Sequence, residues 1–217
     1  MPRTSAGVYL VLASLAFWLS WLLMPGVGVT DTATIFALVA AHRRNVLASV
    51  VLQLLSSALY APGIAAILSA NPARRSAVVR AGGALLAIGA MGSAADAIFH
   101  LVAYEMTAPG IALDAVAPVM RRLQGKDLTL LFPFIGAFFL GHAFLVTALR
   151  KRGPVAALGG FVLALAPVVI IAGAPAIRAG LVTGRLVGLG MLGTVAGSLA
   201  LLGLSIVIEN RVVEDRG

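Results

Sequence analysis

The stretch Ala81–Tyr104, AGGALLAIGAMGSAADAIFHLVAY, decides how the whole chain is read. It is an almost unbroken apolar run carrying one carboxylate, Asp96, and one imidazole, His100. A helix needs about 20 predominantly apolar residues to cross the hydrocarbon core of a bilayer, so this segment is long enough to span. The same signature recurs on both sides, over 7–24, 46–68, 128–149, 155–174 and 181–208. Six spans predict an all-α, polytopic membrane protein: one six-helix bundle over residues 1–217.

Composition agrees. The chain has 217 residues, 60% of them hydrophobic and only 11% charged. An ordinary soluble domain has about 25% charged residues. A soluble fold of this length has no means of burying so much apolar surface, which excludes a soluble enzyme and a disordered chain. Sixteen basic against eight acidic residues give a net charge of +8. The basic residues fall in short loops between apolar runs, so they read as topogenic charge and lipid-headgroup contacts and predict no nucleic-acid partner. The absence of Cys removes disulfides, thiolate metal sites and Cys nucleophiles.

Turn residues punctuate the spans: Pro25-Gly26, Asn71-Pro72, Gly153-Pro154 and Pro175. The first run exceeds the 7–15-residue core of a signal peptide and lacks a clear cleavage site, so it reads as a span. An even number of spans puts both termini on one side. That side carries nine Lys and Arg, including Arg74-Arg75 and Arg150-Lys151-Arg152, and the other carries seven. The clusters in short loops predict cytoplasmic termini in a cell membrane.

Two loops on the opposite face read as short helices. Thr30-Asp31 is a capping start, followed by Ile35, Phe36, Leu38 and Val39 up to Arg43-Arg44. Pro118 suits a first helical turn, followed by Val119, Met120 and Leu123, with Gly125 closing it. They either lie in the interface plane or cap a cavity that opens outward. In the sixth span, Gly184-x3-Gly188 and Gly193-x3-Gly197 give small-x3-small spacing. Such spacing lets helices approach closely, within the bundle or against a second copy or a larger membrane complex.

Ionisable groups within the apolar spans carry the functional expectation, because each is costly there. Asp96, His100 and Tyr104 are spaced four apart and share one helical stripe, which Gly92 extends. A carboxylate four residues from an imidazole can orient it and raise its pKa, as in a proton relay, a metal site or an acid/base pair. At about 1.5 Å per residue, Asp96 lies ~13 Å, Gln53 ~12 Å, His100 ~8 Å and His142 ~21 Å below the outer ends of their spans. Asp96 and Gln53 are thus nearly level, and with His142 they outline a polar track through the second to fourth spans. Tyr60 and Trp18 are candidates to line it. Glu105, nine residues from Asp96, faces away and is expected to pair with Arg121, Arg122 or Lys126. Axial haem ligation needs two histidines at similar depth, which His100 and His142 lack. No metal site and no cofactor is expected, and no H-E-x-x-H, G-x-S-x-G or P-loop occurs.

The N-terminal third, with Ala6-Gly7-Val8-Tyr9-Leu10, a Pro-Gly turn, Asp31-Thr32-Ala33-Thr34 and His42-Arg43 before a long apolar helix, resembles the DUF4386-type family of small bacterial integral membrane proteins. The resemblance covers about 70 residues and implies a multi-spanning helical protein, with no catalytic residue. Three functions remain open: a protein binding or transporting a small or lipid-like ligand in the second to fourth spans, an enzyme acting on a lipid or isoprenoid with Asp96 and His100 as acid/base pair, or a non-catalytic subunit of a membrane complex.

Overall fold

The computed structural model describes residues 3–70 and 76–214. The described residues form seven α-helices: α1 Arg3–Leu23, α2 Thr32–Ala41, α3 Arg43–Ala70, α4 Ala77–Met106, α5 Leu113–Leu149, α6 Pro154–Arg178 and α7 Gly184–Glu214. A 3-10 turn, Arg150–Arg152, joins α5 to α6. Six helices are long and apolar enough to cross a bilayer: α1, α3, α4, the Thr129–Leu149 part of α5, α6 and α7. The chain is a multi-pass, all-helical membrane protein. Asn71-Pro72, Arg74-Arg75 and Arg216 lie outside the described residues.

Two boundaries differ from those expected. The loop helix over 118–125 is not separate: α5 starts at Leu113 and runs unbroken through Pro118, Gly125 and Pro133. Asp114 in its first turn favours that start. Pro118 leaves the Asp114 carbonyl without its helical donor and crowds it, at about 3 kcal/mol, and an interior Gly costs about 1 kcal/mol, costs that a helix of 37 residues absorbs. At about 1.5 Å per residue α5 is ~55 Å long, far longer than the ~30 Å apolar slab. Its charged first turns therefore project beyond the span. Likewise α6 passes through Pro175 and ends at Arg178.

The helices pack as an arc, α5–α4–α3–α1–α7–α6, and the arc closes only where α5 lightly touches α6 and α7. Burial does not follow hydropathy. The most apolar span, α6, has a mean hydropathy of 2.6 and only 17% of its best window buried, whereas α7 reaches 50% at 2.1. Lipid is as apolar as leucine, so hydrophobicity alone does not drive helices together there. Close packing and interhelical hydrogen bonds do. Ser49 donates to the Ser20 carbonyl at 2.7 Å and Ser56 to the Ala13 carbonyl at 2.8 Å, which ties α3 to α1. The α4–α5 seam depends on missing side chains. A Cβ at Gly89 would strike the Phe138 backbone, one at Gly92 the Phe134 Cβ, and one at Gly141 the Leu86 backbone. In α7, Gly188, Gly193 and Gly197 face Val27, Trp18 and Val162 of the same chain.

Gly141→Leu is therefore expected to cost about 3 kcal/mol, because backbone cannot yield as a side chain can. Gly136→Ala, where nothing lies within 4 Å, is expected to be neutral or stabilising by up to about 1 kcal/mol. Thermal unfolding of both variants in detergent checks the contrast.

Candidate functional site

The site is built on α4. Its last turns turn Asp96 and His100 toward a cleft at the α2 end of the bundle. Pro25-Gly26 ends α1 and starts a loop that passes over this cleft. Asp31 then caps α2: its Oδ2 accepts from the Thr34 amide at 2.8 Å and from the Thr34 hydroxyl at 2.7 Å. The cap is thus Asp31 itself, one residue after the Thr30 start read from sequence. One face of α2 is fixed from below, with Phe36 packed against Ala103 and Met120. Thr32 donates to Gln124 at 2.6 Å. Hence α2 and the projecting start of α5 hold each other and roof the cleft.

The cleft is half open and has a volume of about 770 Å³, with Asp96, His100 and Trp21 at its floor and Ile35, Arg121 and Gln124 above. A second cavity of about 240 Å³ lies deeper, lined by Phe17, Phe138, Phe139, Met191 and Leu192. Asp96, Trp21, Leu131 and Ile135 border both, so they form the neck between them. Gln53, 1% exposed, donates to Asp96 Oδ2 at 2.7 Å. The two residues are level, as the helical rise predicts. His100 Nδ1 sits 3.6 Å from the same oxygen. That distance allows attraction to an imidazolium but is too long for a hydrogen bond. The His100 ring also stands edge-on to Trp21, with centroids 5.8 Å apart.

The other sequence candidates lie apart. Tyr104 belongs to a clamp at the end of α4 and lines neither cavity. Arg43 stacks on its ring at 3.7 Å and donates to the Tyr104 carbonyl at 2.7 Å and to Thr107 at 3.1 Å. His142 is fully buried behind Phe138, with ring centroids 4.3 Å apart. Its Nδ1 pairs with the Phe138 carbonyl at 2.7 Å, which makes Nδ1 the protonated nitrogen and Nε2 an acceptor. Tyr60 is also fully buried, its ring 6.1 Å from that of His142. Trp18 lies against Gly193 of α7. Glu105 is exposed and forms no ion pair with a described side chain, so the expected contact with Arg121, Arg122 or Lys126 is absent. The clamp of Arg43 fastens this end of α4 instead. Among the described residues no three His, Asp or Glu side chains gather as a metal site would need.

Sequence reading overlooked Trp21, Ser93 and Gln124 around the cavities. The signal for Ser93 was available: it lies one turn before Asp96 and borders the same cavity. Trp21 and Gln124 join the site only through the packing of α1 and α5, for which spacing along the chain holds no sign. No family model, curated protein or solved structure matches this chain.

Asp31's carboxyl is held below the ordinary value of 3.8, first by the Thr34 hydroxyl and then by the Thr34 amide. The cap is therefore complete above pH 3.8. It is lost only as pH falls through the lower folded-state value. The protection of the amides in the first turn of α2, measured against their intrinsic exchange rate at each pH, is expected to stay constant from neutral pH down to that range and to fall below it. Asp31→Ala is expected to show the lower protection already at neutral pH.

Proposed function

We propose that the protein binds or transports a small lipid-like ligand beside α3, α4 and α5, in cavities whose walls α1 and α7 complete, with Asp96 and His100 as its polar anchors. One observation carries this reading: a carboxylate within an apolar span borders both a polar-rimmed cleft of about 770 Å³ and an apolar cavity of about 240 Å³. Ionisable residues inside the membrane are retained mainly for function, and concave apolar sites with a few convergent polar groups are the usual ligand sites. The N-terminal resemblance to the DUF4386-type family is compatible with this and assigns no activity. Lipids extracted from the source membrane are expected to raise the Tm of the purified protein. Asp96→Asn and His100→Ala are each expected to weaken that effect about tenfold, the loss of one hydrogen bond to a charged group. Unchanged binding in both variants would remove these residues from the site.

The same apolar cavity beside Asp96 supports a second reading, an integral membrane enzyme acting on a lipid or isoprenoid with Asp96 as acid and His100 as its partner. Mass spectrometry of extracted lipids before and after incubation separates the two: unchanged lipid favours binding, and a new product favours catalysis.

The proposed setting is the cell membrane with both termini cytoplasmic and the cleft facing outward, supported by Arg150-Lys151-Arg152 in a three-residue turn. The chain contains no Cys, so a single introduced thiol reports topology without background. Pro109→Cys is expected to react with an impermeant maleimide in intact cells, and Lys151→Cys only after permeabilisation. The reverse pattern would invert the topology.

A further inference from the structure

Three buried polar atoms flank the neck without a hydrogen-bond partner among the described residues: His100 Nδ1 on the side of the cleft, Ser93 Oγ on the side of the apolar cavity, and Trp21 Nε1 on a residue that borders both. A buried donor left unmade costs about 1–3 kcal/mol, so Trp21 Nε1 points to something that completes it at the neck itself. Trp21 Nε1 only donates. Asp96, beside it, accepts when ionised. A group that meets the two must both donate and accept. A carboxylate or phosphate has nothing to donate and would face the Asp96 charge, whereas an ammonium would pair with Asp96 yet leave the Trp21 N–H unmet. A neutral hydroxyl satisfies both.

The small cavity supplies the other half of the ligand. At about 240 Å³ it is small beside the cleft of about 770 Å³, which suits one flexible chain better than two. Beyond the neck its walls are Phe17, Phe138, Phe139, Met191 and Leu192. Its α5 and α7 walls belong to helices that touch only lightly, so the route from bilayer to cavity crosses little packed surface. We infer that the site takes a single-chain amphiphile with an uncharged hydroxyl head. The head bonds Asp96 and Trp21 at the neck, and the chain fills the apolar cavity by way of the α5–α7 seam. This rests on the ligand-binding reading above and narrows its ligand to long-chain alcohols.

The test uses the purified full chain in lipid nanodiscs and four probes of equal chain length: 1-decanol, decanoate, decylammonium and decane. At saturation only decanol is expected to raise Tm, by about 5 °C. Trp21→Phe, which keeps a ring but loses the N–H, and Asp96→Ala are each expected to weaken decanol binding about tenfold. If Asp96→Ala fails to fold, Trp21→Phe alone decides the head contact. A saturable shift with decanoate, decylammonium or decane equal to that with decanol overturns the hydroxyl assignment and leaves ligand binding intact. No shift with any probe, together with none from membrane lipid extract, overturns both. An undiminished decanol shift in Trp21→Phe overturns the neck as the head site.

Discussion

The 2.7 Å hydrogen bond from Gln53 to Asp96 links α3 to α4 within two apolar spans. In hydrocarbon every polar group must be satisfied by the protein itself, and a carboxylate placed there demands the most. One oxygen of Asp96 is met by Gln53, and His100 stands within reach of its charge. Around that pair the packing leaves space rather than filling it. Glycines at 89, 92 and 141 bring α4 and α5 backbone to backbone on one side of the seam. On the other side Asp96 opens onto two cavities. A bundle selected only for stability would have filled that space, since each void forfeits contact energy.

The cover of the cleft has its own fastening. The Arg43 guanidinium, stacked on Tyr104 and bonded to its carbonyl, joins the start of α3 to the end of α4. Thr32 and Gln124 join α2 to the projecting turns of α5. These bonds lie at the wet end of the bundle, whereas Ser49 and Ser56 hold α3 to α1 within the span. Polar side chains thus do two jobs here. Some knit helices by bonding to a neighbour's carbonyl, and a few near the neck have no hydrogen-bond partner among the described residues.

The spans were legible because the bilayer demands about 20 apolar residues and the chain supplies six such runs. The level pairing of Gln53 with Asp96 was legible because helical rise converts residue number into depth. Other features were harder. Periodicity names a helix face but not the neighbour across from it. Tyr104 therefore shares the stripe of Asp96 yet lies under Arg43, and His142 sits behind Phe138. Arg43 looked like a loop charge until α3 proved to begin there. Ser49, Gln53, Ser56 and Tyr60 follow helical spacing on α3, so the sequence holds the whole buried polar stripe of which Gln53 and Tyr60 are two members. The length of α5 was hidden by Pro118 and Gly125, residues that break helices in isolation but here only weaken a long one.

The central claim is that the space beside Asp96 exists to hold a ligand. An experimental density map of the protein purified with its native membrane lipid tests it most directly. The account predicts elongated density in the apolar cavity, its polar end within hydrogen-bonding distance of Asp96 and Trp21 and its other end toward the α5–α7 seam. A neck closed by Leu131 and Ile135, with α5 packed tightly on α7 and no room beside Asp96, would contradict it.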